Sequence, residues 1–219
     1  MVTGEAIMAR KFAELMFTRA VRAAQARYGG RADRLLTAAD PRDRLGPDEV
    51  EFLQTRDGFH LATVGETGWP YVQFRGGPPG FLQVLDERTI AWADFRGNRQ
   101  YVSTGNLDPA GDARVAIIAM DHARQLRIKL LGTARIIDAD ADPELTARVT
   151  VPGYRAVVER VVVVELAAFD WNCPQHITPR YTADELRDVV APLVAELEQL
   201  RAENARLRSA AQDAPVRAR

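Results

Sequence analysis

The sequence predicts a mainly β domain, a small barrel, flanked by an N-terminal and a C-terminal helix. Between residues 58 and 169, short runs rich in β-branched and aromatic residues alternate with turn residues. The two ends instead repeat apolar residues every three or four positions. With 219 residues, 47 % of them hydrophobic and 27 % charged, there is enough apolar material for one sizeable core.

Phe12, Leu15, Met16, Ala20, Ala23 and Ala24 fall on one helical face, which predicts an amphipathic helix over 5–27 closed by Tyr28-Gly29-Gly30. The Arg- and Asp-rich stretch to Gly46 reads as a solvated connector. A short helix starts at Pro47, with Asp48 and Glu49 in its first turn. Phe59–Val64 and Trp69–Phe74, joined by Gly65-Glu66-Thr67-Gly68, form a hairpin. Further strands follow at 81–85, 89–94, 114–120, 126–137 and 157–169. Short helices are expected over 97–106 and 142–149.

Leu186, Val190, Leu193, Leu197, Leu200, Asn204 and Leu207 alternate spacings of four and three, as heptad a and d positions do. Thr182 and Glu185 supply a capping box, and Pro192 should break or kink this helix early. The stripe can pair between chains or fold back on its own domain, and residues 211–219 read as a frayed tail. The expected organisation is an N-terminal helix and connector over 1–46, a barrel over 47–181 and a helix with tail over 182–219.

Composition excludes several functions. Lys plus Arg number 29 against 30 Asp plus Glu, so no global field attracts nucleic acid or an anionic membrane. Cys173 stands alone, which leaves neither an intramolecular disulfide nor a four-thiolate metal site. The N-terminus has no uninterrupted apolar region, and no apolar run is long enough to span a bilayer, so a cytoplasmic protein is expected. The two serines are Ser103 and Ser209, and Ser103 lacks the glycine-flanked elbow of a nucleophile. GxxxxGK[ST], HExxH and CxxC are absent. Chemistry, if the chain performs any, is expected from a bound cofactor rather than from a side-chain nucleophile.

Three segments carry the functional signal. They are Gly68-Trp69-Pro70-Tyr71-Val72-Gln73-Phe74-Arg75-Gly76-Gly77-Pro78-Pro79-Gly80, Ala93-Asp94-Phe95-Arg96-Gly97-Asn98-Arg99-Gln100-Tyr101, and Asp170-Trp171-Asn172-Cys173-Pro174-Gln175-His176-Ile177. Strand periodicity puts Tyr71, Gln73 and Arg75 on one face and Val72 and Phe74 on the other. At Gly97-Asn98-Arg99 a strand is expected to pass into a helix. Free N–H groups there, with the guanidiniums of Arg96 and Arg99, suit a phosphate dianion. The plain alternatives are solvated arginines and a mere proline-glycine turn.

In this order the three segments resemble the flavin-binding split-barrel family related to pyridoxamine 5'-phosphate oxidase, over about residues 47–181. The resemblance implies a homodimeric split β-barrel with FMN in clefts shared between subunits. It implies that Gln73 and Arg75 line the flavin and its phosphate tail. It also puts Asn98 and Arg99 where relatives usually carry two basic residues at the phosphate. Arg127 and Lys129, alternate residues of one strand, become candidates for a positive charge near the flavin pyrimidine, which would stabilise the anionic reduced ring; an exposed strand face is the other reading. Trp171 takes the place of a tryptophan beside the flavin, and Arg180 that of a second contact. Gln175 and His176 are candidate donors near the ring, and a hydrogen-bonded structural role is open for His176. The residues by which the oxidases grasp their vitamin substrate have no counterpart here. The expected function is thus an FMN-dependent oxidoreductase acting on a small organic substrate. A non-catalytic flavin-binding or sensing module is the alternative, as is a split barrel that uses deazaflavin or haem.

Overall fold

The computed structural model describes residues 10–30, 43–107, 113–171 and 175–212. Two compact units divide the chain, Met1–Ile177 and Thr178–Arg219. Residues 1–9, with the first turn of the expected helix, residues 31–42 of the connector, Asn172, Cys173 and Pro174 of the third motif, and residues 213–219 of the tail lie outside the described residues.

The first unit opens with two helices rather than one, α1 (Arg10–Met16) and α2 (Arg19–Tyr28). The break is chemical. Thr18 takes an extended conformation, its hydroxyl accepts the Val21 N–H at 3.4 Å, and the Phe17 carbonyl accepts Arg22 Nε at 3.0 Å. A threonine able to cap competes with its own helix. The predicted stop is where the residues put it: Gly29 adopts φ 76°, a conformation that costs glycine little, and its N–H returns to the Gln25 carbonyl.

α3 (Pro47–Gln54) begins at the expected proline, and the Glu49 carboxylate accepts the Gly46 N–H at 2.9 Å. Seven strands follow: β1 (Gly58–Val64), β2 (Pro70–Gly76), β3 (Leu82–Asp86), β4 (Thr89–Phe95), β5 (Arg114–Asp121), β6 (Leu126–Asp138) and β7 (Val158–Trp171). The five-residue α4 (Val102–Asn106) separates β4 from β5, and α5 (Pro143–Val149), capped by the Asp142 side chain, separates β6 from β7. The strands form one antiparallel sheet in the order β2-β1-β5-β6-β7-β4-β3.

One face of the sheet closes around a core drawn from six of the strands and from α3. At its centre Trp92 meets Phe59 edge-on, with ring centroids 4.9 Å apart, and Phe59 stacks on Phe81 at 5.7 Å. The other face is covered locally. α5 lays Val149 over Ala91, Ala93, Val161 and Val163, and α1 lays Phe12 over Ala168. The architecture is the split β-barrel that the sequence predicts.

β6 and β7 shift register between Leu131 and Gly132. A Cβ at Gly132 would stand 2.4 Å from the Glu165 carbonyl oxygen and 2.7 Å from Val164 Cγ1, so only glycine lets the two backbones approach there.

The second unit is dominated by α6 (Ala183–Gln212). The capping box forms as expected: Glu185 accepts the Thr182 N–H at 2.7 Å, and Thr182 accepts the Glu185 N–H at 3.2 Å. Pro192 lies inside the helix without ending it, against the sequence expectation. One proline forfeits a single backbone bond, and twenty further helical residues carry the segment on. Among the described residues no helix is long and apolar enough to cross a membrane.

Gly132→Ala should lower stability by about 1–3 kcal/mol, the usual range for overpacking, and a shifted urea midpoint would show it.

Candidate anion-binding cleft

β2 is an edge strand on which Tyr71, Gln73 and Arg75 stand opposite Thr63, Leu61 and Phe59 of β1. Leu61 and Phe59 belong to the core, so this polar trio faces inward while Val72 and Phe74 face out. The alternation read from the sequence therefore holds, and its polar side is the inner one.

Arg75 ends on a buried carboxylate. Its Nη1 donates to Asp94 Oδ1 at 2.7 Å, and Arg160 donates to Asp94 Oδ2 through Nε at 3.1 Å and Nη2 at 2.9 Å. Asp94 on β4 and Arg160 on β7 are register partners across the sheet. Asp94 is fully buried, and two guanidiniums compensate its desolvation. Arg160 Nη2 also donates to Glu159 at 3.0 Å, and its guanidinium lies 5.0 Å from the Tyr101 ring centre. Glu159 in turn accepts Arg96 Nε at 2.7 Å. The hydrogen bond from Arg96, helped by the charge of Arg160, outweighs desolvation and holds the Glu159 carboxyl below the ordinary glutamate range. Burial alone would lower Arg160; its bonds and charge contacts with Asp94 and Glu159 raise it instead.

The segment after β4 departs from expectation. Helix begins only at Val102, not at Gly97. Asn98 Oδ1 accepts the Gln100 N–H at 3.1 Å, and Arg99 and Tyr101 take left-handed φ values of 59° and 54°. A side chain that captures a nearby N–H, with two left-handed residues, prevents helix over 97–101. The corner thus presents side chains and an irregular loop rather than a helix end. Behind the loop, Ser103 Oγ donates to Gln73 Oε1 at 2.8 Å, and Asn106 Nδ2 donates to Thr63 Oγ1 at 2.9 Å. These bonds fasten α4 to β2 and β1.

Gln73, Arg75, Asn98, Arg99, Ser103 and Arg160 line the resulting cleft. The cleft opens to solvent, and the space in it that water-sized spheres can occupy is about 40 Å³. One water needs roughly 10–15 Å³ on that measure, so the space suits a few waters or one small polyatomic ion. Three guanidiniums, Arg75, Arg96 and Arg160, pair with two carboxylates, Asp94 and Glu159, and Arg99 adds a fourth guanidinium to the cleft lining. Arg75 Nε is buried without a hydrogen-bond acceptor, and Arg99 has no ion-pair partner among the described residues. Excess positive charge, an unused buried donor and a space of this size fit a phosphate dianion.

Of the residues singled out from the sequence, Gln73, Arg75, Asn98 and Arg99 meet in this cleft, with Arg96 beside it. The others lie elsewhere. Arg127 and Lys129 alternate with the core residues Ile128 and Leu130, which puts them on the opposite face of β6. Lys129 Nζ stands 3.6 Å from Asp170 and 5.2 Å from the Phe12 ring centre, under α1. Trp171 donates its indole N–H to Glu49 at 2.6 Å and meets Phe52 edge-on at 4.7 Å, which pins the end of β7 to α3. Gln175 and His176 form an exposed turn, with His176 at φ 64°. Arg180 is an exposed residue of the second unit. Sequence reasoning missed Asp94, Tyr101 and Arg160, and it weighed Ser103 only as a nucleophile. One signal was present for Asp94: it is a lone charge in the apolar run Ile90-Ala91-Trp92-Ala93-Asp94-Phe95.

Asp94→Ala should destabilise the fold by about 3–5 kcal/mol in urea unfolding, because two guanidiniums lose their buried partner. A second outcome concerns pH. A lowered folded pKa at Glu159 contributes stability that is present above the ordinary glutamate value and is lost as pH falls through the folded one. The gap in urea midpoint between the parent protein and Glu159→Gln should therefore narrow as the pH is lowered through and below the ordinary glutamate range.

The cleft stands within a stretch shared with known proteins. The family model for pyridoxamine 5'-phosphate oxidase matches residues 45–171. Among solved structures the chain is similar to HupZ of Group A Streptococcus, at 18 % identity and TM-score 0.47, over 63 % of this chain and 100 % of that one. It is also similar to a Clostridium acetobutylicum protein related to general stress protein 26, at 13 % identity and TM-score 0.42, over 63 % and 94 %. An FMN-binding protein from Syntrophomonas wolfei aligns at 13 % identity and TM-score 0.39, over 56 % and 84 %. No curated protein matches the chain. The family match runs from two residues before α3 to the last residue of β7, through every strand that builds the cleft, and on that ground the chain belongs to the pyridoxamine 5'-phosphate oxidase family.

Proposed function

We propose that the chain binds FMN, with the phosphate in the cleft, and acts as an FMN-dependent oxidoreductase on a small organic substrate. The observation that carries this reading is the cleft itself: an inward-facing arginine with an unused buried donor, a second arginine without an ion-pair partner among the described residues, and room for one polyatomic ion. Arg99 and Arg75 would address the phosphate oxygens, and Asp94 would keep Arg75 and Arg160 in place beneath them. The flavin when bound supplies electron transfer, and the protein supplies position, electrostatics and access.

A space of this size takes an anionic head, and a ring system would lie beyond its open side. The proposal therefore includes a second copy that completes the ring site. The surface beside the cleft supports it: on the outward side of the β1–β2 hairpin, Val72 is 60 % exposed and Phe74 59 %, on a sheet edge that nothing described covers. Exposed apolar edge strands of this kind are usually covered by a partner. Arg127 and Lys129 face away from their own chain's cleft, so a shared site would assign any flavin contact of theirs to the cleft of the second copy.

Purified protein titrated with FMN should bind it, with the flavin absorption bands shifting on binding. Arg99→Ala should weaken FMN by about 1.5–3 kcal/mol, roughly ten- to 150-fold, the range for a hydrogen bond to a charged group. Riboflavin has no phosphate, so its weaker binding should be unchanged by the same substitution. Equal losses for both ligands would sink the assignment of the phosphate to this cleft.

A further inference from the structure

We infer that α6 pairs with α6 of a second copy of this chain as a parallel, in-register coiled coil. The inference is independent of flavin binding. The spacing makes Val190, Leu197 and Asn204 the a positions, and Leu186, Leu193, Leu200 and Leu207 the d positions. Each of these residues is exposed along a single helix of 30 residues. Pro192 falls at position c, off the seam.

Charge selects the occupant. The g positions are Val189, Glu196 and Glu203, and the e positions are Arg187, Val194, Arg201 and Arg208. In a parallel pair each g residue meets the e residue five positions further on in the partner. Glu196 would therefore face Arg201, Glu203 would face Arg208, and Val189 would face Val194. An antiparallel pair sets g against g and e against e, which puts glutamate on glutamate and arginine on arginine. The stripe is thus complementary to itself in one orientation. Register follows from Asn204, because an asparagine at an a position finds its best partner in the same asparagine across the seam. Leucine at every d position with valine at the first a position favours two strands over three or four. Glu196, Arg201, Glu203 and Arg208 are all exposed, and none is in an ion pair among the described residues.

The full chain can test this through a cysteine at the far end of the seam. In a Cys173→Ser background, Leu207→Cys brings two thiols together only in a parallel, in-register pair. Mild oxidation should yield a covalent dimer on a non-reducing gel. Adding Glu196→Arg and Glu203→Arg should abolish that band, and so should Arg201→Glu and Arg208→Glu in a separate chain. Mixing the two reversed chains should restore it. Absence of the dimer in the Leu207→Cys chain overturns the pairing, which is the result expected if the helix folds onto its own domain or takes another partner. A covalent dimer indifferent to charge reversal overturns the proposed pairing of g-position glutamates with e-position arginines, the argument by which charge selects a second copy. Circular dichroism of each variant verifies that the helix persists, and FMN titration reports separately on the cleft.

Discussion

A single buried carboxylate organises the functional end of the barrel. Asp94 accepts Arg75 from the edge strand β2 and Arg160 from β7, and its own strand β4 is hydrogen-bonded to β7. Taking an aspartate out of water is costly, and the cost is offset only while both guanidiniums stay in place. Three strands distant in sequence are thereby held in one geometry. Arg160 extends the network to Glu159 and the Tyr101 ring, and Glu159 holds Arg96. Most cationic side chains at the cleft are thus positioned by a carboxylate, while Arg99 on the irregular loop is left to meet a ligand. Preorganised charge of this kind is what an anion site needs, since little reorganisation remains when the ligand arrives.

The remaining scaffold fixes where that network stands. The aromatic centre of Phe59, Phe81 and Trp92 fills the barrel directly beneath β1, the strand against which β2 pairs. Ser103 and Asn106 join α4 to both strands of the hairpin, so the loop that carries Asn98 and Arg99 is anchored immediately after it leaves the cleft. Glu49 accepts both the N–H of Gly46, just before α3, and the indole N–H of Trp171, so one carboxylate joins a helix start to a strand end. Trp171 has a structural task whatever else it does.

The two exposed apolar surfaces differ in kind. The outward side of the β1–β2 hairpin is a short, broad patch at a sheet edge, whereas the stripe on α6 is narrow, periodic and bordered by alternating charge. A patch of the first sort is satisfied by shape, and a stripe of the second sort by register. Self-association through each would obey separate rules, and charge changes on the helix need not disturb the barrel.

Local pattern alone carried the strand series, the start of α3 at Pro47, the stop at Gly29 and the capping box of α6. In each case the cause lies within a few residues: period-two alternation, a fixed proline φ, a glycine free to turn left-handed, a hydroxyl within reach of the next turn. It also carried Gln73, Arg75 and Arg99 as residues of one site. What it could not carry was register. Asp94 meets Arg160 at a separation of 66 positions because β4 and β7 pair in one alignment and no other. Lys129 turns under α1 rather than toward the cleft because the core claims the two residues beside it. The helix expected from Gly97 is shortened for a related reason, since Asn98 and two left-handed residues serve the cleft's shape at the expense of the helical bond pattern. Residue chemistry was therefore set by the chain, and which charges meet was decided by strand pairing, because pairing energy is spread over long-range contacts that no short window of sequence contains.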